Sequence, residues 1–122
     1  MPRILVVDDE PDVAEIVMIL LRKAGHHVDV VHGGRAALER IAAEPYDLVM
    51  CDLVMPEVNG VAVYRAVQER PEPRPRMLFL SGYYDAGGYE RFLSESHVAI
   101  VPKPFDFIAL PEAVARVLAA DA

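Results

Sequence analysis

The chain has 122 residues, 53% of them hydrophobic and 25% charged, which is the composition of one folded domain spanning residues 1–122 with its own core. Its formal net charge of −7 argues against a surface that binds nucleic acids. A single cysteine excludes an internal disulfide and suits a reducing cytoplasm. The apolar run at residues 4–7 is too short for a signal peptide, and no run approaches the roughly 20 residues of a membrane span. We therefore expect a soluble, cytoplasmic domain without membrane insertion.

Short β-branched runs alternate with stretches of helical periodicity along the chain. The predicted strands cover residues 4–7, 28–31, 47–51, 77–80 and 98–101. The predicted helices cover residues 11–24, 35–43, 61–69 and 107–120. Pro11 suits the first turn of the first helix, and Gly25 suits its end. The side chains that we expect to face the core from this helix recur at helical spacing: Val13, Ile16, Val17, Leu20, Leu21 and Ala24.

The segment between the fourth and fifth predicted strands is the least regular part of the pattern. Tyr89, Phe92 and Leu93 offer apolar surface for packing. Gly87 and Gly88 interrupt the helical period, at a cost of about 1 kcal/mol each. We expect a short or mobile helix there.

Five strands that alternate with helices predict a parallel sheet with helices on both faces. Right-handed crossover connections leave few topologies for such a sheet. At this size the commonest is the flavodoxin-like, doubly wound (βα)5 arrangement with strand order 2-1-3-4-5. The sequence therefore predicts an α/β fold of this kind.

Polar side chains follow four of the predicted strands. Asp8 and Asp9 follow the first strand and Asp52 follows the third. Ser81 follows the fourth strand and Lys103 comes just after the fifth. The carboxyl ends of parallel strands meet at one edge of a sheet, so we expect these groups to lie together near the switch point between strands one and three.

Each of these residues has an ordinary explanation when it is taken alone. Asp8 or Asp9 would cap a helix, Asp52 would be a solvated strand-end acid, Ser81 a turn residue and Lys103 a solvated lysine. Their combination indicates something else, because three neighbouring carboxylates repel each other and a hard cation such as Mg²⁺ relieves the repulsion. A phosphoryl group on one carboxylate would then meet a metal ion, a lysine and a hydroxyl, which are the groups that stabilise phosphoryl transfer.

The segments ILVVDDE, CDLVMPEVNG, LSG and VPKPF resemble the receiver (CheY-like) domains of two-component response regulators, in order and in spacing, over essentially the whole chain. The resemblance implies that Asp52 accepts a phosphoryl group from the phosphohistidine of a histidine kinase or a phosphotransfer domain. It also implies a Mg²⁺ site in which Asp9, Asp52 and the backbone carbonyl of Val54 bind directly. Asp8 would act mostly through a metal-bound water.

The same resemblance implies roles for the remaining polar groups. Ser81 and Lys103 would hold phosphoryl oxygens, and the peptide bond between Lys103 and Pro104 would be cis. The domain would assist its own phosphorylation and dephosphorylation without being an enzyme. Its expected partners are the phosphodonor protein and an output domain or a second copy of the chain, and the domain itself would bind no nucleic acid.

One position departs from the family pattern. Receivers usually have an aromatic residue three positions before the lysine, whereas this chain has Ile100. In this respect the chain is more similar to receivers attached to hybrid histidine kinases. We therefore expect the signal to pass through residues 81–96, where Tyr83 and Tyr84 follow Ser81 and glycines make the backbone easy to rearrange.

Other functions remain open at this point. A degenerate receiver would act only as a protein-binding module, but such domains usually lack an acid or the lysine, and this chain keeps them all. An aspartate-nucleophile phosphatase of the haloacid dehalogenase type would need a second aspartate where this chain has Val54. A flavodoxin-like redox protein is disfavoured because no Ser/Thr/Gly-rich phosphate loop follows the first strand.

Overall fold

The computed structural model of the chain describes residues 1–82 and 88–120. Ten elements alternate along these residues. The strands are β1 (Arg3–Val7), β2 (His27–Val31), β3 (Leu48–Asp52), β4 (Arg76–Gly82) and β5 (Ala99–Lys103). The helices are α1 (Pro11–Lys23), α2 (Gly34–Ala43), α3 (Gly60–Gln68), α4 (Glu90–Ser96) and α5 (Ala109–Ala119). Every predicted strand and helix is present, with ends within about two residues of those expected from the sequence.

The five strands form one sheet in which all neighbours are parallel, in the order β2-β1-β3-β4-β5. This confirms the predicted topology. β1 lies second in the sheet and is buried on both faces, which explains its continuous apolar sequence. Leu5 and Val7 belong to the core on one face, whereas Ile4 and Val6 belong to the core on the other.

Each face of the sheet is covered by its own helices. The first core cluster contains buried side chains from α2 and α3. Partly buried side chains of α4 pack at its margin. The second core cluster contains buried side chains from α1 and α5. None of the helices that the structure describes is both long and apolar enough to cross a membrane.

The inward face of α1 is narrower than the sequence pattern predicted. Ala14, Val17 and Leu21 are its buried residues. Ile16 is 39% exposed, and Ala24 lies beyond the helix and is exposed, so the prediction that these two face the core is wrong. Val13 and Leu20 flank this buried row, are half-buried and pack against the second core cluster, as predicted.

The short helix α4 agrees with the prediction for this segment. It has seven residues, and none of those seven is buried. The ring of Phe92 packs edge-on against Tyr64 at 5.2 Å and against Phe79 at 5.8 Å between ring centroids. Tyr89 and Leu93 also pack against the first core cluster. Tyr83, Tyr84 and Gly87 lie outside the described residues.

Two glycines allow the loop between β3 and α3 to pack tightly. A Cβ atom on Gly60 would lie 2.8 Å from the Asp52 carbonyl oxygen, and its backbone N–H donates a 2.8 Å hydrogen bond to the Leu53 carbonyl. A Cβ atom on Gly34 would lie 2.7 Å from the Cβ of Val58 and would also meet the Val58 carbonyl oxygen. The first turn of α2 and the loop that follows Asp52 are therefore in direct contact.

Substitution of Gly34 tests this contact. Gly34→Ala should lower the free energy of unfolding by about 1–3 kcal/mol, because the added methyl group must displace backbone as well as side chain. The neighbouring substitution Gly33→Ala is the control, since a Cβ there meets nothing within 4 Å. Urea denaturation measures both variants, and equal losses would show that the close approach to Val58 is unimportant.

Candidate functional site

The polar residues predicted from the strand ends are delivered to the carboxyl edge of the sheet. Asp8 directly follows β1, and its backbone N–H donates to the Val31 carbonyl at 3.2 Å. Asp52 is the last residue of β3, Ser81 the penultimate residue of β4 and Lys103 the last residue of β5. Within residues 1–82 and 88–120, Asp8, Asp52 and Ser81 are the buried polar or charged residues.

The ammonium group of Lys103 lies between two of the buried carboxylates. Its Nζ is 2.9 Å from Oδ2 of Asp8 and donates a 3.1 Å hydrogen bond to Oδ2 of Asp52. The lysine side chain is 14% exposed and both carboxylates are almost completely buried. The structure thus brings together three of the predicted site residues.

Glu10 is a fourth charged residue at this site, and it was not among the residues predicted from the sequence. Its Oε1 lies 3.6 Å from the Lys103 ammonium, and carboxylate oxygens of Asp8, Glu10 and Asp52 lie within 4.8 Å of one another. The backbone N–H of Glu10 donates a 2.9 Å hydrogen bond to Oδ1 of Asp8. The available signal was the third acid in ILVVDDE, but its spacing does not reveal the turn that returns Glu10 to the site.

The contacts of Asp9, Val54 and Ser81 do not test the roles predicted for them. Asp9 is half-buried and does not belong to the close carboxylate group among the described residues, so its role as a direct metal ligand stays a prediction. Val54 donates its backbone N–H to Oδ1 of Asp52 at 3.4 Å, and the role of its carbonyl also stays a prediction. The Ser81 hydroxyl donates to the Gly82 carbonyl at 3.3 Å, and its contact with a phosphoryl oxygen is likewise untested.

Two further features implied by the sequence lie beside the site. The Lys103–Pro104 peptide bond is cis, as the resemblance implied. Ile100, at the usual aromatic position, is 43% exposed on β5 and pairs in register with Phe79 of β4.

The ionisable groups of the site perturb each other. Burial raises the pKa of Asp52 and the negative charge of Asp8 raises it further, while Lys103 opposes both, so that the pKa is about 6. Burial by itself would lower the pKa of Lys103, but its interactions with Asp8 and Asp52 outweigh this effect and raise the pKa to about 12. At neutral pH the lysine is therefore charged, while ionised Asp52 retains an unfavourable desolvation.

The donor set fits a hard divalent cation. Asp8 Oδ2 is buried and accepts no well-aligned hydrogen bond from the described residues, although the Lys103 ammonium lies 2.9 Å away as an ion pair. The close group consists of carboxylate oxygens alone, the ligand type that Mg²⁺ prefers. One lysine cannot neutralise three carboxylates, so a second cation would be bound favourably.

Comparison with known proteins identifies the family. A family model described as the response regulator receiver domain matches residues 4–115. This chain belongs to the response regulator receiver family. The receiver is 30% identical over 120 residues to the response regulator receiver protein CpdR of Brucella abortus, with 98% of this chain and 99% of CpdR covered.

Two other relatives place the receiver in a wider context. It is 40% identical over 117 residues to the transcriptional regulatory protein CutR of Streptomyces coelicolor, and the match covers 96% of this chain but only 52% of CutR. The crystal structure of response regulator protein TrrA from Thermotoga maritima, in complex with Mg²⁺-BeF, is similar with a TM-score of 0.81 and 32% identity. That match covers 96% of this chain and 99% of TrrA.

The raised pKa of Asp52 predicts a pH-dependent stability. The pKa of Asp52 is about 6 in the folded state and about 3.9 in the unfolded state, so the folded state binds the proton more tightly. The free energy of unfolding of the protein therefore falls as the pH rises through this interval. Asp52→Asn removes the titrating group, so the variant should melt above the wild type at pH 7.5 and the gain should shrink at pH 4. Thermal melts in metal-free buffer measure this, and a gain independent of pH would contradict the electrostatic explanation.

Loss of Lys103 should have the opposite effect. Lys103→Gln leaves Asp8 and Asp52 buried without their cation, and should lower the free energy of unfolding by about 3 kcal/mol at pH 7.5. The double variant Lys103→Gln/Asp52→Asn should recover about half of this loss, since one of the two uncompensated charges is gone and that of Asp8 remains. Lys23→Gln, at an exposed position, is the control. Urea denaturation that shows no recovery in the double variant would refute the charge argument.

Proposed function

We propose that this receiver is a phosphoacceptor of a two-component phosphorelay. Asp52 takes a phosphoryl group from the phosphohistidine of a histidine kinase or a phosphotransfer domain, in a Mg²⁺-dependent reaction, and the domain signals by a change of conformation. The observation that carries the proposal is the buried Asp52 carboxylate, held 3.1 Å from the Lys103 ammonium at the carboxyl edge of the sheet.

The transfer is an in-line displacement at phosphorus. A carboxylate oxygen of Asp52 forms the new P–O bond while the P–N bond to the donor imidazole breaks, and the imidazole leaves with the electron pair and takes up a proton. With a pKa of about 6, Asp52 is ionised at neutral pH and available as the nucleophile. Its incomplete neutralisation by Lys103 keeps it reactive.

Lys103 and Ser81 support the phosphoryl group after transfer. The ammonium of Lys103 holds its charge at all physiological pH values, since its pKa is about 12, and it reaches the Asp52 carboxylate already. Its role is to hold a phosphoryl oxygen, and the buried Ser81 hydroxyl donates to another. Both groups act by position and charge, which are the main requirements of phosphoryl transfer.

We assign the metal to the acids at the same edge. Asp8, Asp9, Asp52 and the Val54 carbonyl are the proposed Mg²⁺ site, with Asp8 acting through a bound water. Bound Mg²⁺ would neutralise the developing charge on the phosphoryl oxygens. The 32% identical TrrA, solved with Mg²⁺-BeF, supports this assignment.

The partners and the output follow from the same role. The receiver would act in the cytoplasm as a substrate of its kinase, not as an enzyme, and CutR shows that a relative of this receiver can be part of a longer protein. The phosphorylated state would be read through residues 81–96. Asn59, which caps α3, donates from Nδ2 to the Tyr89 hydroxyl at 3.5 Å, so the loop after Asp52 already contacts the residue before α4.

Phosphorylation of the isolated domain tests the proposal. With Mg²⁺ and acetyl phosphate the wild type should gain one acyl phosphate per chain, detected by Phos-tag electrophoresis. Asp52→Asn should abolish the label, because an amide is not a nucleophile at phosphorus, and chelation of Mg²⁺ should slow labelling by more than about tenfold. Asp12→Asn, an exposed acid in the first turn of α1, is the control. A label that persists in Asp52→Asn would refute the assignment.

A further inference from the structure

Glu10 differs from the other acids of the site in its exposure. Its side chain is 63% exposed, whereas those of Asp8 and Asp52 are buried. It nevertheless lies 3.6 Å from the ammonium of Lys103. Among the three acids of this close group, Glu10 is therefore the one that faces solvent.

The charge balance of this group is negative. Asp8, Glu10 and Asp52 place three carboxylates within 4.8 Å, against the single ammonium of Lys103 that contacts all three. With the proposed Mg²⁺ bound, its charge and that of Lys103 balance Asp8, Asp9 and Asp52, which leaves the charge of Glu10 uncompensated. Asp8 and Asp52 share the two short contacts of the ammonium, at 2.9 and 3.1 Å, so the more distant Glu10 is the least compensated. Its charge faces water and any anion that approaches Asp52.

We propose that Glu10 determines the specificity of the receiver among phosphodonors by their charge. Its carboxylate disfavours dianionic small-molecule donors relative to donors with fewer negative charges, and so limits phosphorylation of Asp52 by free acyl phosphates. This inference rests on the proposed phosphoacceptor function. Glu10 is not needed for bond formation itself, since it acts on the approach of the donor.

The size of the effect follows from electrostatics at an exposed site. One negative charge at about 8 Å from a dianion, at an effective dielectric constant near that of water, lowers the rate of encounter by roughly three- to tenfold. Salt weakens such an interaction, because the screening length falls from about 10 Å at 0.1 M to about 3 Å at 1 M ionic strength. A role of Glu10 in folding or in orienting Lys103 would depend on neither donor charge nor salt to this extent.

The experiment compares two donors on four proteins. Labelling rates of wild type, Glu10→Gln, Glu10→Asp and Glu95→Gln are measured at a Mg²⁺ concentration that saturates each protein. The donors are acetyl phosphate, a dianion at pH 7, and phosphoramidate, which carries about one negative charge less. Glu10→Gln should be labelled about three- to tenfold faster by acetyl phosphate at low salt, with a smaller gain for phosphoramidate and a smaller gain for either donor at high salt. Glu10→Asp keeps the charge and should resemble the wild type.

Glu95→Gln is the matched control, because Glu95 in α4 has a similar exposure of 66% and its carboxylate belongs to a pair with Arg91. It removes the same net charge and should leave the ratio of the two donor rates unchanged. An equal gain in Glu95→Gln, or an unchanged donor ratio in Glu10→Gln while the wild type is labelled at Asp52, overturns the role of Glu10 alone. If neither the wild type nor Glu10→Gln is labelled by either donor, the phosphoacceptor function fails and this inference fails with it.

Discussion

The ammonium of Lys103, held between the carboxylates of Asp8 and Asp52, is the interaction on which this edge of the sheet depends. Lys103 ends β5, and β4 separates it from β3, so its side chain must cross the end of β4. Strands in a sheet are about 4.8 Å apart, and the lysine stem can span two of them only if the middle strand ends in small residues. β4 ends in Ser81 and Gly82, and Gly82 lies opposite Lys103 in the register. The small residues at this strand end are therefore part of the charge arrangement.

This arrangement is costly for the fold and useful for the chemistry. The edge buries Asp8 and Asp52 beside apolar strands that are otherwise fully packed, and a single lysine does not compensate two buried acids. The residual cost appears in the pKa of Asp52, which burial and Asp8 raise to about 6 despite the nearby ammonium. A positively charged group bound at this site would relieve this cost and would stabilise the folded state.

The sequence predicted the three central strands well because β1, β3 and β4 contain continuous apolar runs, and only a sheet covered on both faces buries such runs completely. It predicted the position of Asp8, Asp52, Ser81 and Lys103 for the same reason, since the end of a run is visible in the sequence. The side-chain environment of α1 was predicted less well. Ile16 fits the helical period, but whether a flanking position is covered depends on the width of the contact with the sheet, which periodicity does not contain.

Glu10 shows a second limit of prediction from sequence. Its position relative to Lys103 depends on a turn in which its own backbone N–H bonds to the Asp8 carboxylate, and on the reach of a lysine from the other end of the chain. Both are tertiary features. Residues in the strands are placed by burial, which leaves a pattern in the sequence, whereas loop residues are placed by individual hydrogen bonds, which do not.

The loop that follows Asp52 connects the site to the residue before α4. α4 has no buried residue of its own and is attached through Phe92 to Phe79 and Tyr64, and through Tyr89 to Asn59. Leu93 adds a further contact between α4 and the first core cluster. Asn59 belongs to the loop that follows Asp52, and Gly60 at the end of this loop packs closely against the Asp52 carbonyl. The contact between Asn59 and Tyr89 links this loop to the residue before α4, and it does not involve position 100.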